Sequence, residues 1–211
     1  MKTYQLFVPT YRIQECLDEI KICLEKGWTG LGFKTIEFEE AWKEYTGLPN
    51  AHFLNSATSG LHLAVKILKD YYMWESDAEV ISTPISFISS NHAISYERLK
   101  VVFADVDEYI CLDPKSIEER ITDKTKAILF VGFGGNTGKL PEVVELCKKY
   151  NLKLILDAAH MSGTRLNGEN PGKNADVVVY SFQAVKNLPT ADAGMICFKE
   201  KELDSTCRQV S

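Results

Sequence analysis

The chain has 211 residues, of which 45% are hydrophobic and 25% charged, a composition that fits one globular domain with a sizeable core and excludes disordered and collagen-like classes. Its net charge of −5 lacks the basic excess of nucleic-acid-binding faces, so we expect no nucleic-acid partner. No apolar stretch reaches the roughly 20 residues of a membrane span and no secretion signal is recognisable, which predicts a cytoplasmic protein without membrane contact.

The N-terminal region has helical periodicity. Apolar residues recur at helical spacing in residues 11–26, before Gly27, and a second amphipathic stretch, 35–45, ends before Gly47. Cys16 and Cys23 lie seven residues apart in the first helix, a spacing typical of one packed face. The six cysteines form no CxxC pair and have no histidine at zinc-ligand spacing, which predicts free thiols and no metal site.

From residue 51 onward, short apolar strands alternate with helices. We predict strands at residues 51–54, 79–82, 101–104, 127–131, 153–156, 176–180 and 194–198, with helices at 58–71, 84–95, 114–121 and 141–150. This alternation indicates an α/β fold with a largely parallel sheet covered by helices on both faces. In such sheets ligands bind at the carboxyl ends of the strands, so we expect functional residues there.

The first such strand end is the segment NSATSGLHLAV, in which a small polar turn leads from a strand into a helix. The N-terminus of a helix offers unpaired N–H groups and the positive end of a dipole, so this turn has the chemistry to bind a phosphate. A serine or threonine that only caps the helix explains the same residues, and considered alone it is the favoured explanation.

A second strand end, LILDAAH, places Asp157 directly after an apolar strand, with His160 three residues later. The carboxylate either caps a following helix or faces a cationic ring nitrogen, with the small alanines leaving room for a flat ring. His160, taken alone, is explained equally well as a core or surface residue.

Two further strand ends carry Phe87, in TPISFISSNHAI, and Ser181 and Lys186, in SFQAVKNL. An isolated phenylalanine is usually a core residue, and a lone lysine near a strand end usually reaches solvent along its flexible stem. Together, however, a phosphate-binding turn, an aromatic side chain, a carboxylate and a desolvated lysine are the groups that hold pyridoxal 5′-phosphate (PLP).

The order and spacing of these segments resemble a known family. Residues 27–47, GWTGLGFKTIEFEEAWKEYTG, match the N-terminal GW-x-x-x-G segment of the DegT/DnrJ/EryC1/StrS sugar aminotransferases, and SFQAVKN matches their SF-x-x-x-K-N segment. The similarity runs across most of residues 10–200. It implies a fold-type I PLP enzyme, whose large domain has three layers around a mostly parallel seven-stranded sheet.

The resemblance assigns roles to individual residues. Lys186 corresponds to the catalytic lysine that binds PLP covalently, and Ser181 to a serine that binds its phosphate. Asp157 corresponds to the partner of the pyridinium nitrogen, and Phe87 to the aromatic residue that stacks on the ring.

Three more positions complete the implied cofactor site. Thr58 and Ser59 correspond to the phosphate-binding turn, and His160 to a glutamine or histidine beside the phenolic oxygen. The sequence departs from the family at Ala57, where glycine is usual, at Gly132, where histidine is frequent, and in residues 190–194, TADAG, which replace a GEGG-like run.

The resemblance also implies a domain organisation. Residues 1–50 are expected to form a helical segment packed on the PLP-binding large domain, residues 51–211. Family members continue into a smaller C-terminal domain, so we expect this chain to lack that domain and to be a fragment or a shortened form.

The implied function is transfer of an amino group, from glutamate as donor, to a keto-sugar attached to a nucleotide, by a homodimer active in polysaccharide or antibiotic-sugar biosynthesis. A dehydratase branch of the family carries histidine in place of the lysine, so Lys186 favours transamination. Another PLP-dependent reaction, or a non-catalytic fragment that binds PLP or a sugar nucleotide, remains the alternative.

Overall fold

Seven strands form one sheet at the centre of the computed structural model, which describes residues 8–211. The strands are β1 (His52–Leu54), β2 (Glu79–Ser82), β3 (Lys100–Phe103), β4 (Thr125–Val131), β5 (Lys153–Asp157), β6 (Val177–Ser181) and β7 (Gly194–Phe198). Their order is β1-β7-β6-β5-β4-β2-β3, and only β7 runs antiparallel to its neighbours. The predicted α/β fold with a mostly parallel seven-stranded sheet is confirmed.

The direction of the strands places six strand ends at one edge of the sheet. β7 is antiparallel to both β6 and β1, so β1 to β6 all point the same way and the start of β7 lies beside their carboxyl ends. The central strands are buried on both faces, which explains why their sequences are continuous apolar runs rather than alternating ones.

Helices cover both faces of this sheet. The α-helices of the described residues are α1 (Ile13–Glu25), α2 (Phe33–Thr46), α3 (Ala57–Tyr71), α4 (Ser89–Tyr96), α5 (Pro114–Glu118), α6 (Leu140–Tyr150) and α7 (Lys201–Val210). α3 packs Leu61, Ala64 and Leu68 against one face of the sheet. On the other face Trp42 of α2, 3% exposed, packs edge-on against Tyr180, with ring centroids 4.9 Å apart. Both faces thus contribute to the core.

Helices α4 and α7 differ from the sequence-based expectations. α4 begins at Ser89 rather than at residue 84, because residues 84–88 form a turn. A hydrogen bond from Asn91 Nδ2 to the carbonyl oxygen of Thr83 (3.0 Å) spans this turn. α7 was not predicted, although it buries Leu203 and Cys207.

Helix α1 does not have the packed face that its cysteine spacing suggested. None of its residues is buried within the described chain, and Leu17 is 53% exposed. The expectation for Cys16 and Cys23 is therefore wrong: Cys16 is exposed and Cys23 half-buried. Across residues 8–211, no helix is both long enough and apolar enough to cross a bilayer.

Candidate active site

A cavity of about 550 Å³ opens at the edge where the parallel strands end. Val131, Asp157 and Ser181, the last residues of β4, β5 and β6, line it. Residues of the N-terminal turns of α3 and α4 also line it. Its size is within the range of small-molecule sites, and its place is where an α/β sheet binds ligands.

The N-terminus of α3 supplies one end of the cavity. Ser56 caps this helix: its Oγ accepts a hydrogen bond from the backbone N–H of Ser59 (3.2 Å). Ser56, Ala57 and Thr58 line the cavity, where the first N–H groups of the helix and the positive end of its dipole face an incoming anion. The capping and the phosphate-binding explanations of this turn are therefore compatible.

Ser59 lies differently from Thr58. Its hydroxyl donates to Asn55 Oδ1 (2.7 Å), and it is not among the residues that line the cavity. Thr58 Oγ1 shares a hydrogen bond with Ser89 Oγ (2.8 Å) of α4, so the two helix N-termini are joined beside the cavity.

Gly194, the first residue of β7, lies against this turn. A Cβ at this position would be 2.5 Å from the carbonyl carbon of Ser56 and 2.6 Å from the backbone nitrogen of Ala57. Only glycine allows β7 to approach the N-terminus of α3 so closely, and this contact fixes the height of the turn above the sheet.

Asp157 is the buried carboxylate of the site, with 5% of its surface exposed. Its Oδ2 accepts from Ser90 Oγ (2.7 Å) and its Oδ1 from the N–H of Ala159 (3.1 Å). Burial raises the pKa of Asp157, while these hydrogen bonds and the nearby His160 and Lys186 oppose that rise.

The alternative that Asp157 caps a helix is wrong. The segment that follows β5 consists of turns, and in the described residues no α-helix begins between β5 and α7. The Ala159 N–H, which donates a hydrogen bond to Asp157, belongs to such a turn. Its carboxylate is thus available to the cavity that it lines.

Lys186 lies in a turn five residues beyond the end of β6, and its N–H donates to the carbonyl oxygen of Gln183 (2.8 Å). It is half-buried and lines the cavity, so it does not have the solvated position that a snorkelling lysine would take. Burial lowers the pKa of its amine, and the negative charge of Asp157 partly offsets that effect. A lowered pKa increases the neutral, nucleophilic fraction of the amine at neutral pH.

His160 is held in a defined orientation. Its Nδ1 accepts from the N–H of Gly134 (3.2 Å), and its ring contacts Phe133 edge-on at 5.9 Å. Burial, and then the charge of Lys186, lower its pKa. A neutral imidazole that accepts at Nδ1 carries its proton on Nε2, so His160 is a hydrogen-bond donor in this cavity.

Phe87 and Ser181 complete the set of residues singled out from the sequence. Phe87 lines the cavity with 74% of its surface exposed, so it belongs to the rim and not to the core. Ser181 is buried at the end of β6, and its Oγ accepts from the N–H of Gln183 (3.4 Å). The structure thus brings six of the seven predicted residues to one cavity: Thr58, Phe87, Asp157, His160, Ser181 and Lys186. Ser59 does not line it.

Several lining residues were missed by the sequence analysis. They are Ser89, Ser90, Gln183 and Asp192. Ser56, by contrast, belongs to the polar turn that the sequence already indicated, and it is the N-cap of α3. The two serines of α4 gave no comparable signal, because their partners lie 31 and 67 residues away along the chain.

Gly132, at a position where the family frequently has histidine, lies against the side chain of Met161. A Cβ at this position would lie 2.0 Å from the sulfur of Met161, which is itself buried. The methionine side chain therefore fills the space that a side chain at position 132 would need.

Comparisons with known proteins agree with this architecture. The family described as the DegT/DnrJ/EryC1/StrS aminotransferase family matches residues 11–211. A UDP-4-amino-4,6-dideoxy-N-acetyl-beta-L-altrosamine transaminase of Campylobacter jejuni is 38% identical over 177 residues, covering 82% of this chain and 46% of that protein. The chain spans about half the length of the curated relatives it matches.

Solved structures share the fold. PseC of Helicobacter pylori, an aminotransferase involved in the biosynthesis of pseudoaminic acid, superposes with a TM-score of 0.91 at 28% identity, over 98% of this chain and 55% of that one. NtdA of Bacillus subtilis, solved with the bound cofactor PMP, superposes with a TM-score of 0.87 at 26% identity, over 96% of this chain and 45% of that one.

Proposed function

The chain belongs to the DegT/DnrJ/EryC1/StrS aminotransferase family, and on that premise we propose that it serves in PLP-dependent transfer of an amino group to a keto-sugar attached to a nucleotide. The observation that carries the proposal is the convergence of the α3 N-terminus, Asp157 and Lys186 on one cavity of about 550 Å³. Each of the three matches a different part of the cofactor.

The residues present fit PLP chemically. The first N–H groups of α3, with Thr58 and Ser181, suit the phosphate. Asp157 suits a cationic ring nitrogen, because a buried carboxylate gains most from an opposite charge. The amine of Lys186, whose pKa is lowered by burial, suits an aldehyde, and the Nε2 proton of His160 suits a phenolate oxygen. Phe87, at the rim, would cover the ring, and Ser59 would act by holding the capped turn.

When bound, PLP supplies an electron-withdrawing ring that accepts the electron pair released when a proton leaves the substrate carbon. Lys186 Nζ would accept that proton from the substrate Cα and deliver it to C4′ of the cofactor. To accept the proton, the amine must be in its neutral form. Asp157 would hold a proton on the ring nitrogen, and His160 would orient the ring through its phenolic oxygen. Burial of Asp157, and partial burial of Lys186, limit the access of water to these proton transfers.

The finer features of the proposal rest on the family and on the relatives. Glutamate is proposed as the amino donor, and a nucleotide-linked keto-sugar as the acceptor, in line with the UDP-linked substrate in the Campylobacter jejuni relative's name. Residues 51–211 would hold the cofactor. Of the proposed N-terminal segment 1–50, α2 packs on them through Trp42, α1 buries no residue, and residues 1–7 lie outside the described part of the chain. We further propose a homodimer that works in the cytoplasm, where buried free thiols such as Cys111 and Cys147 stay reduced.

A PLP titration tests the cofactor assignment. The wild-type protein is expected to turn yellow on addition of PLP, and Lys186→Ala to lose that absorbance. Lys148→Ala, at an exposed lysine of α6 outside the cavity, is the matched control and should behave as wild type. A folded wild-type protein that binds no PLP would contradict the proposal.

Turnover is tested separately by following 2-oxoglutarate formation from glutamate with a nucleotide-linked keto-sugar. Binding of PLP with turnover supports the transaminase. Binding without turnover, in a full-length homologue as well as in this chain, would favour the non-catalytic binding module instead.

A further inference from the structure

The first two residues of α4 contact the two ends of the cavity. Ser89 Oγ shares a hydrogen bond with Thr58 Oγ1 (2.8 Å) at the N-terminus of α3, and Ser90 Oγ donates to Asp157 Oδ2 (2.7 Å) at the end of β5. One turn of helix thus joins the N-terminus of α3 to the buried carboxylate. Neither serine was singled out by the sequence.

The hydrogen bond between Ser90 and Asp157 is sequestered from solvent. Ser90 is 1% exposed and Asp157 5%. An ionised carboxylate only accepts hydrogen bonds, so the serine hydroxyl is the donor. With Ala159 N–H donating to Oδ1, both carboxylate oxygens are held, and the plane of the carboxylate is fixed. A buried charge of this kind depends on its donors, since burial alone favours the neutral acid.

The position of Ser90 is itself fixed by the turn before α4. Its backbone N–H donates to the carbonyl oxygen of Phe87 (3.2 Å). The neighbouring Asn91 donates through Nδ2 to the carbonyl oxygen of Thr83 (3.0 Å) and to Ser86 Oγ (3.3 Å). The hydroxyl of Ser90 is therefore presented to Asp157 by a hydrogen-bonded frame that starts at the end of β2.

We propose that Ser90 is a positioning residue whose hydroxyl holds the Asp157 carboxylate ionised and oriented toward the ring nitrogen of the cofactor. This inference rests on the proposed function, because the ring nitrogen is that of PLP. Lys186 and His160 are the titratable groups that face Asp157, and in their protonated forms both lower its pKa. Without the serine, these two groups and Ala159 N–H remain, but one carboxylate oxygen loses its donor inside the core.

The matched variants are available within the same chain. Ser90→Ala removes the hydroxyl, and Ser90→Thr retains it. Ser82→Ala, at the end of β2, is the control: Ser82 is fully buried, its Oγ has no hydrogen-bond partner within the described residues, and it is not part of the cavity lining. Ser89→Ala tests the other contact of α4, the one to Thr58.

The first measurement needs no cofactor. In wild-type protein without PLP, the ¹³Cγ shift of Asp157 is followed against pH, and Ser90→Ala is expected to titrate at higher pH than wild type. Ser90→Thr, Ser82→Ala and Ser89→Ala are expected to titrate like wild type. An unchanged Asp157 titration in a folded Ser90→Ala protein would overturn the inference.

The second measurement is the PLP dissociation constant, with the protonation of the ring nitrogen read from its ¹⁵N shift. Ser90→Ala should weaken PLP binding by about tenfold, the order expected for a lost hydrogen bond to a charged group, and should shift the ring nitrogen toward its neutral form. Ser89→Ala should weaken binding without that ¹⁵N change. A neutral ring nitrogen in wild-type protein would also overturn the inference.

The two measurements separate the inference from the function on which it rests. If wild type binds no PLP while Ser90→Ala still raises the pKa of Asp157, the proposed function fails and the coupling of Ser90 to Asp157 stands. If wild type binds PLP and Ser90→Ala changes neither titration nor ring protonation, the function stands and the positioning role of Ser90 fails.

Discussion

Replacement of Gly194 by alanine tests whether the contact between β7 and α3 holds residues 56–58, the turn proposed to bind the cofactor phosphate. The added Cβ would lie 2.5 Å from the carbonyl carbon of Ser56 and 2.6 Å from the nitrogen of Ala57. Both are backbone atoms, so no side-chain rotation relieves the clash. The N-terminus of α3 must move away by about 1 Å to restore ordinary contact, which begins at 3.4 Å.

The expected cost follows from the size of this overlap. Overpacking of a tight site costs about 1–3 kcal/mol, and the lower chain entropy of alanine in the unfolded state recovers less than about 1 kcal/mol of it. For a protein of this size, a net loss of about 2 kcal/mol lowers Tm by roughly 4–8 °C. Because the turn moves, PLP affinity should fall as well.

Thermal unfolding and a PLP titration measure the two effects on the same samples. Gly30→Ala is the matched control, because a Cβ at Gly30 meets no atom within 4 Å; it should leave Tm and PLP affinity near the wild-type values. If Gly194→Ala melts and binds PLP as Gly30→Ala does, the close approach of β7 does not hold the turn, and the reasoning is refuted.

Three further predictions concern the core, the ion pairs and the thiols. Gly132→His should lower the free energy of unfolding in urea by about 1–3 kcal/mol because Met161 fills the space. In the Gly132→His/Met161→Ala double variant the two losses should be less than additive, and strict additivity would argue against a clash between the two side chains. Arg208→Ala should destabilise the protein by about 1–2 kcal/mol, a value reduced because Arg208 is 41% exposed. Although burial raises the pKa of Glu39, hydrogen bonds from His52, Phe53 N–H and Arg208 outweigh burial and hold that pKa below its usual value. The loss of stability should therefore be complete above about pH 4.3 and fade as the pH drops through the pKa of Glu39 in the folded protein, whereas an undiminished loss in acid would contradict the ion pair. A thiol reagent should modify Cys16 quickly in the folded protein and reach the buried thiols only on unfolding, because burial raises the pKa of Cys147 and Cys207 to about 12; fast reaction of more than two thiols would contradict their placement.

The sequence was most informative where one local pattern determines the structure. The run DVVVY predicts a strand that is buried on both faces, and the structure places β6 there with all five residues of Val177–Ser181 buried. The carboxyl ends of such strands are predictable in the same way. This is why Asp157 and Lys186, each beyond an apolar run, were recognised without a structure.

The sequence was least informative where the partner is distant along the chain. Ser90 acts on Asp157, 67 residues away, and nothing in the segment SFISSNHAI distinguishes this hydroxyl from an ordinary polar residue. Helix α1 shows a related limit: its apolar spacing predicts a helix correctly, but whether that apolar face is covered depends on packing, and in the described chain it is exposed. Periodicity identifies an element and leaves its contacts undetermined.

Reduction of the PLP-loaded protein with borohydride, followed by peptide mapping, tests the central claim most directly. Burial lowers the pKa of Lys186, whereas hydrogen bonds to Asp70 and Asp77 raise the pKa values of Lys66 and Lys124, so the cavity lysine is the one prepared to react with an aldehyde. The account predicts a single label in the peptide that contains SFQAVKNL, on Lys186. A label on any other lysine, or none on a folded protein, would contradict it.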